Sequence, residues 1–159
     1  MLRDFPLPGP VHRIRDPKNF YADMRADVAL LLEHKRYLAL TTVIMCCLDA
    51  LAADSDGSGK SENKKFERFM KKHFHELCAL LDPVSQNRGG ARILYDNFRN
   101  GFAHNRGPKL NFVIAEDSEV DHDWAGRFPG LNGQPVGINV DRLATEFLAL
   151  LDRFEQGSS

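Results

Sequence analysis

Cysteine is scarce in this chain: three residues in 159, two adjacent (Cys46, Cys47) and one distant (Cys78). That spacing supports neither a disulfide framework nor a zinc site, and the thiols read as small buried apolar groups in a reducing cytoplasm. Net charge is equally slight, with 21 lysines and arginines against 22 aspartates and glutamates. A polycationic nucleic-acid binder is thereby excluded, and any contact with RNA must come from a local patch. The opening Met1-Leu2-Arg3-Asp4-Phe5-Pro6 has no apolar signal-peptide core. The longest apolar-rich run, Tyr37 to Ala53, is broken by threonines and Asp49 and reads as too short for a membrane span. A soluble, cytoplasmic protein with no membrane partner is expected. Internal repeats are lacking too, and the length suits one domain with its own core.

What is present is helical periodicity. Residues 1–15, with three prolines and a glycine, read as an irregular arm before a single domain spanning 16–155. Asp16-Pro17 is a helix start, Asp as N-cap and Pro at the first helical position. The first helix then runs to about His34 on Phe20, Met24, Val28 and Leu31 or Leu32. A second, apolar on most of its circumference as a central helix should be, runs from Tyr37 to about Ala53. Residues 54–60 form a loop. Its Asp-Ser-Asp-Gly opening lacks the closing glutamate of a calcium loop, and Gly57-Ser58-Gly59-Lys60-Ser61 lacks the first glycine and strand of a phosphate loop.

Ser61 is placed to cap a third helix with Phe66, Phe69, Met70 and Phe74 on one face. Lys64, Lys65, Arg68, Lys71 and Lys72 lie opposite, the best candidates for contact with an RNA backbone; the same run also fits an ordinary solvated face. His73 and His75 lie roughly 200° apart on a helix and cannot chelate one metal from one face. Asp82-Pro83 ends this segment. A fourth helix begins between Gln86 and Ala91, frays at Gly89-Gly90, and stops at Gly107-Pro108.

Beyond it, Leu110–Ala115 and Val136–Val140 read as two strands of a small hairpin, and residues 116–135 as a long loop between them. Trp124 reads as an anchor for that loop, and the carboxylates around His122 favour its protonated form. No recognised spacing supports a metal there. A last helix, from about Asn139 or Asp141 to Phe154, turns Leu143, Phe147, Leu150 and Leu151 inward, and 156–159 is a tail. The fold class is mainly α: an up-and-down bundle of about five helices with a small β-hairpin before the last.

The fourth helix carries the candidate chemistry. Leu94, Tyr95, Phe98 and Phe102 form its core stripe, while Asp96, Asn100 and His104 recur every four residues on a polar face. Arg99 lies five residues before His104, about 140° away on a straight helix, and borders that row. Asp96, three residues before Arg99, is placed to support it by an i, i+3 pair. An arginine paired with a carboxylate and a histidine over the last carbonyls of a helix is also a common stabilising arrangement.

Arg99-Asn100 followed by His104, with four residues between Arg99 and His104, resembles the motif of the HEPN superfamily (higher-eukaryote and prokaryote nucleotide-binding domains). Leu48-Asp49-Ala50-Leu51-Ala52 is similar to segments of bacterial HEPN-like proteins. The resemblance implies a homodimer and a metal-independent endoribonuclease that needs no cofactor, with Arg99, Asn100 and His104 catalytic and Asp96 supporting. It implies RNA as substrate and a role such as the toxin of a toxin–antitoxin or phage-defence pair. It equally accommodates a non-catalytic dimeric module binding RNA, nucleotide or a protein partner such as a nucleotidyltransferase antitoxin.

Overall fold

The computed structural model describes residues 17–55, 62–101, 112–127 and 135–157. The arm 1–15, Ser61, most of the loop 54–60 and part of the loop 116–135 lie outside them. Helix α1 is Pro17–Glu33 and α2 is Tyr37–Asp54. A tight turn joins them, with Lys35 at a φ of 50°. Helix α2 is central, packing on α1, on α3 (Asn63–His73), on the last helix and on the segment that bears Arg99. Leu40, Ile44, Met45 and Leu48 of α2 are fully buried. By length and composition α2 is long and apolar enough to cross a membrane; in the bundle half of it is buried against its neighbours.

The expected third helix is two. It breaks at Phe74, whose φ of −129° and ψ of 43° leave helical space, and α4 (His75–Leu81) follows at once. Phe74 is 2 % exposed, so the break serves burial of its ring, which packs edge-on to Trp124. No glycine or proline marks the place. After a 3-10 turn at Asp82–Val84, α5 (Gly90–Ile93) begins, within the range expected. Its glycines are held, however, and do not fray. Gly90 N–H donates to Asp82 Oδ1 at 2.6 Å and Gly89 N–H to Ser85 Oγ at 3.0 Å, so side chains from the preceding turn cap the helix. A Cβ on Gly90 would stand 2.0 Å from the Cys78 carbonyl oxygen, so this close approach of α5 to α4 requires glycine.

The β-element lies before the last helix, as expected, but its pairing differs. Strand β1 (Phe112–Ala115) pairs in parallel with β3 (Val136–Asn139), which sits between β1 and a short antiparallel β2 (Ala125–Arg127). The expected two-stranded hairpin is therefore replaced by a three-stranded sheet. The intervening segment supplies the return strand, so β1 and β3 point the same way. Trp124 anchors this excursion: it is 4 % exposed and its indole N–H donates to Glu76 at 3.0 Å. Helix α6 (Val140–Gly157) follows β3 without a break, continues past the expected end at Phe154, and buries Leu143, Phe147, Leu150 and Leu151. The described residues thus form a mainly helical bundle of six α-helices with a small sheet before the last.

Of the cysteines, Cys78 is buried and Cys47 half-buried, but Cys46 is exposed, against expectation. Helix α2 is apolar nearly all round, so composition does not show which side its neighbours leave open.

Candidate functional site

Arg99 ends a π-helical turn, Leu94–Arg99, in which Asn100 N–H reaches back to the Tyr95 carbonyl. Such turns insert an extra residue into an α-helix and recur at functional sites. Leu94 and Phe98 fix it in the core, both fully buried. Asn97, nearly buried, donates its carboxamide N–H to the Ile93 carbonyl at 3.1 Å, satisfying a polar side chain that the apolar surroundings would otherwise penalise.

The turn delivers Arg99 to α2. Its Nε and NH2 groups donate to one oxygen of Asp49, at 3.0 and 2.9 Å. Its NH1 donates to Asn100 Oδ1 at 2.9 Å, and its guanidinium lies 5.4 Å from the Tyr95 ring centroid. Burial alone would lower the Arg99 pKa; the hydrogen bond to Asp49 and that carboxylate's charge outweigh it, so the pKa is raised and the cation secured. Asp49 is 7 % exposed and the Arg99 side chain 25 %. The pair is partly desolvated, with Arg99 still partly exposed.

Asp96 does not support Arg99. Its carboxylate accepts from Arg92 Nε at 2.9 Å and lies 3.6 Å from Arg88. The π turn rotates successive side chains by less than an α-helix does, so residues three apart within it no longer share a face. Asp96 therefore turns back to the preceding turn while Arg99 turns to α2. Arg92 also meets Glu67 of α3 at 3.4 Å. Asn100 stands beside Arg99 as the spacing implies, its carbonyl oxygen occupied and its amide N–H groups left as donors. His104 lies outside the described residues, as does Phe102.

Asp49 is the site residue that sequence reasoning missed as a partner. The signal was there: one carboxylate inside a run otherwise suited to full burial has to meet a cation. Its partner is fifty residues away, and periodicity within one helix carries no information about that.

The α3 cations gather elsewhere. Lys64, Arg68, Lys71 and Lys72 are exposed and Lys65 half-buried, around two surface depressions. His73 and His75 fall on either side of the Phe74 break. His122 pairs through Nδ1 with Asp117, whose hydrogen bond and charge raise the imidazole pKa as expected. Among the described residues no three His, Cys, Asp or Glu side chains converge to hold a metal ion.

No family model matches the chain, and no curated protein or solved structure matches it.

Proposed function

We propose that the protein is a metal-independent endoribonuclease of the HEPN type, with an RNA-cleaving site completed by two copies of the chain. The observation that supports this best is the fixed guanidinium of Arg99. Asp49 takes two of its five N–H groups and Asn100 a third, leaving two on the planar guanidinium as donors suited to phosphate oxygens. A pre-positioned donor costs no reorganisation when charge develops on a phosphorane. The neighbouring Asn100 amide N–H groups add further donors.

His104 supplies the proton transfer. A neutral imidazole removes the 2′-hydroxyl proton of a ribose, the 2′-oxygen attacks the adjacent phosphorus, and the P–O5′ bond breaks. The 5′-oxygen then takes a proton from an imidazolium, that of His104 of the partner subunit. The products are a 2′,3′-cyclic phosphate and a 5′-hydroxyl. One helix offers a single imidazole, which is the physical reason for two copies.

The test is incubation of a mixed RNA pool with the wild-type chain and with His104→Ala, in EDTA, reading the end chemistry. Cyclic-phosphate ends produced by the wild type and lost in the variant are expected. A folded, dimeric wild type that leaves RNA intact would overturn the reading. One observation favours the non-catalytic alternative: Asp49 cancels the charge of Arg99, as a contact holding the π turn to α2 would do. In that case Arg99→Ala changes stability and binding, and no cleavage exists to be lost.

A further inference from the structure

Between α3, the end of α2 at Ser55 and the end of α6 lies a depression of about 350 Å³ whose lining, among the described residues, contains no carboxylate. Lys65, Arg68 and Lys72 line it from α3, and Phe69, His73 and Phe154 supply rings. Phe154 stacks on Phe69, centroids 6.2 Å apart at 11°, and on Tyr21, 6.3 Å apart at 6°, and His73 lies 4.6 Å from Phe69 and 5.7 Å from Phe154. Burial, with the charges of Lys72 and Arg153, holds His73 below its ordinary pKa and so keeps the imidazole uncharged at neutral pH. Three cations beside flat apolar and π surfaces match the two halves of a nucleotide, phosphate and base.

The depression does not end at one nucleotide. Arg68 also lines a second depression, with Lys64 and Lys71 on its far side. From Lys64 to Lys72 the cations follow about 12 Å of helix, longer than a single phosphate group needs. Two carboxylates border the second depression, Glu62 and Glu67, of which Glu67 is taken up by Arg92. A strand crossing Arg68 thus meets base-binding surface on one side and further cations on the other.

We propose that this surface binds single-stranded RNA, seating one base against His73 and the exposed part of Phe154 with its flanking phosphates on Arg68 and Lys72. The choice of RNA as the strand rests on the cleavage reading above. The base contact separates this site from a solvated basic face, which attracts phosphate without regard to what the sugar carries.

The experiment measures binding alone, by fluorescence anisotropy of a short labelled single-stranded RNA, using the His104→Ala chain in EDTA. An abasic oligomer of equal length and charge is expected to bind about tenfold more weakly, from loss of base stacking. Arg68→Glu is expected to weaken the base-bearing RNA about tenfold and to flatten its salt dependence. Arg127→Glu, the same charge change at the exposed end of β2, is expected to have little effect. Equal binding of the abasic and base-bearing strands would overturn the base pocket, and equal loss in the two charge variants would overturn the site. Competition by free AMP at the affinity of the strand would replace RNA by a nucleotide as the occupant and overturn the proposal in that form. Cleavage is scored separately with the intact chain, so binding without cleavage leaves the pocket standing, and cleavage without base discrimination removes the pocket alone.

Discussion

Arg99 grips a single oxygen of Asp49 with two nitrogens, at 3.0 and 2.9 Å, and so ties the π turn to the central helix. Asp49→Asn keeps the shape and removes the charge, leaving a partly buried guanidinium without its counter-ion. Breaking a fully buried pair costs about 3–5 kcal/mol; with Arg99 a quarter exposed, about 2 kcal/mol is expected. Urea denaturation of Asp49→Asn, Arg99→Gln and the double variant measures it. A double variant no worse than either single one is the expected cycle, and additive losses would show that the two residues do not act as a pair.

Gly90→Ala is expected to destabilise severely, by at least about 3 kcal/mol. The added carbon meets the Cys78 carbonyl at 2.0 Å, and backbone on both sides would have to move. Denaturation midpoints decide it. A loss below 1 kcal/mol would show that α4 and α5 separate readily.

Thiol reactivity should separate the cysteines. Burial pushes the thiols of Cys47 and Cys78 up to about 12, whereas Cys46 is exposed. A disulfide reagent at neutral pH is expected to label Cys46 rapidly, and the other two only after unfolding. Fast modification of all three in the folded protein would contradict the packing of α2 and α4.

His73 and His122 should titrate on opposite sides of the ordinary histidine value. The hydrogen bond and charge of Asp117 raise His122; burial, then Lys72 and Arg153, lower His73. For His122 the folded pKa exceeds the unfolded one, so its stabilisation is full below the unfolded value and is lost as pH rises through the folded value. For His73 the sign reverses. The unfolded chain takes the proton first, so stability falls as pH drops from the unfolded value toward the folded one. Imidazole proton shifts followed by NMR give both midpoints, and Asp117→Asn should return His122 to its ordinary range. Superposed titration curves would show that neither environment acts as described.

Much of the frame was legible from residue patterns because its causes are local. Pro17 starts α1, the polar break before Tyr37 separates α1 from α2, and the 3.6-residue stripes of α3 and α6 are the faces that are buried; of the α1 stripe Met24 and Val28 are buried, but Phe20 is exposed. What escaped depends on distant partners. Phe74 breaks a helix to reach Trp124. The strand Ala125–Arg127, three residues with a glycine, exists only because β3 offers it an edge. In the site, the adjacency of Arg99 and Asn100 was readable, but the supporting carboxylate was not. Asp96 fits the spacing of an α-helix, and the π turn voids that spacing without changing the apolar stripe.

That turn also makes the position of Arg99 depend on chain length as well as on chemistry. An inserted residue is accommodated between Leu94 and Arg99, and everything after it emerges at a rotated angle. Removing Asp96 there would let ordinary helical bonding resume and would swing the guanidinium off Asp49, even with Arg99, Asn100 and Asp49 all retained. Such a deletion should reproduce the stability loss of Asp49→Asn; one that left stability unchanged would count against it. The meeting of the two helices is thus specified partly by a count of residues, something that substitution scanning would never reveal.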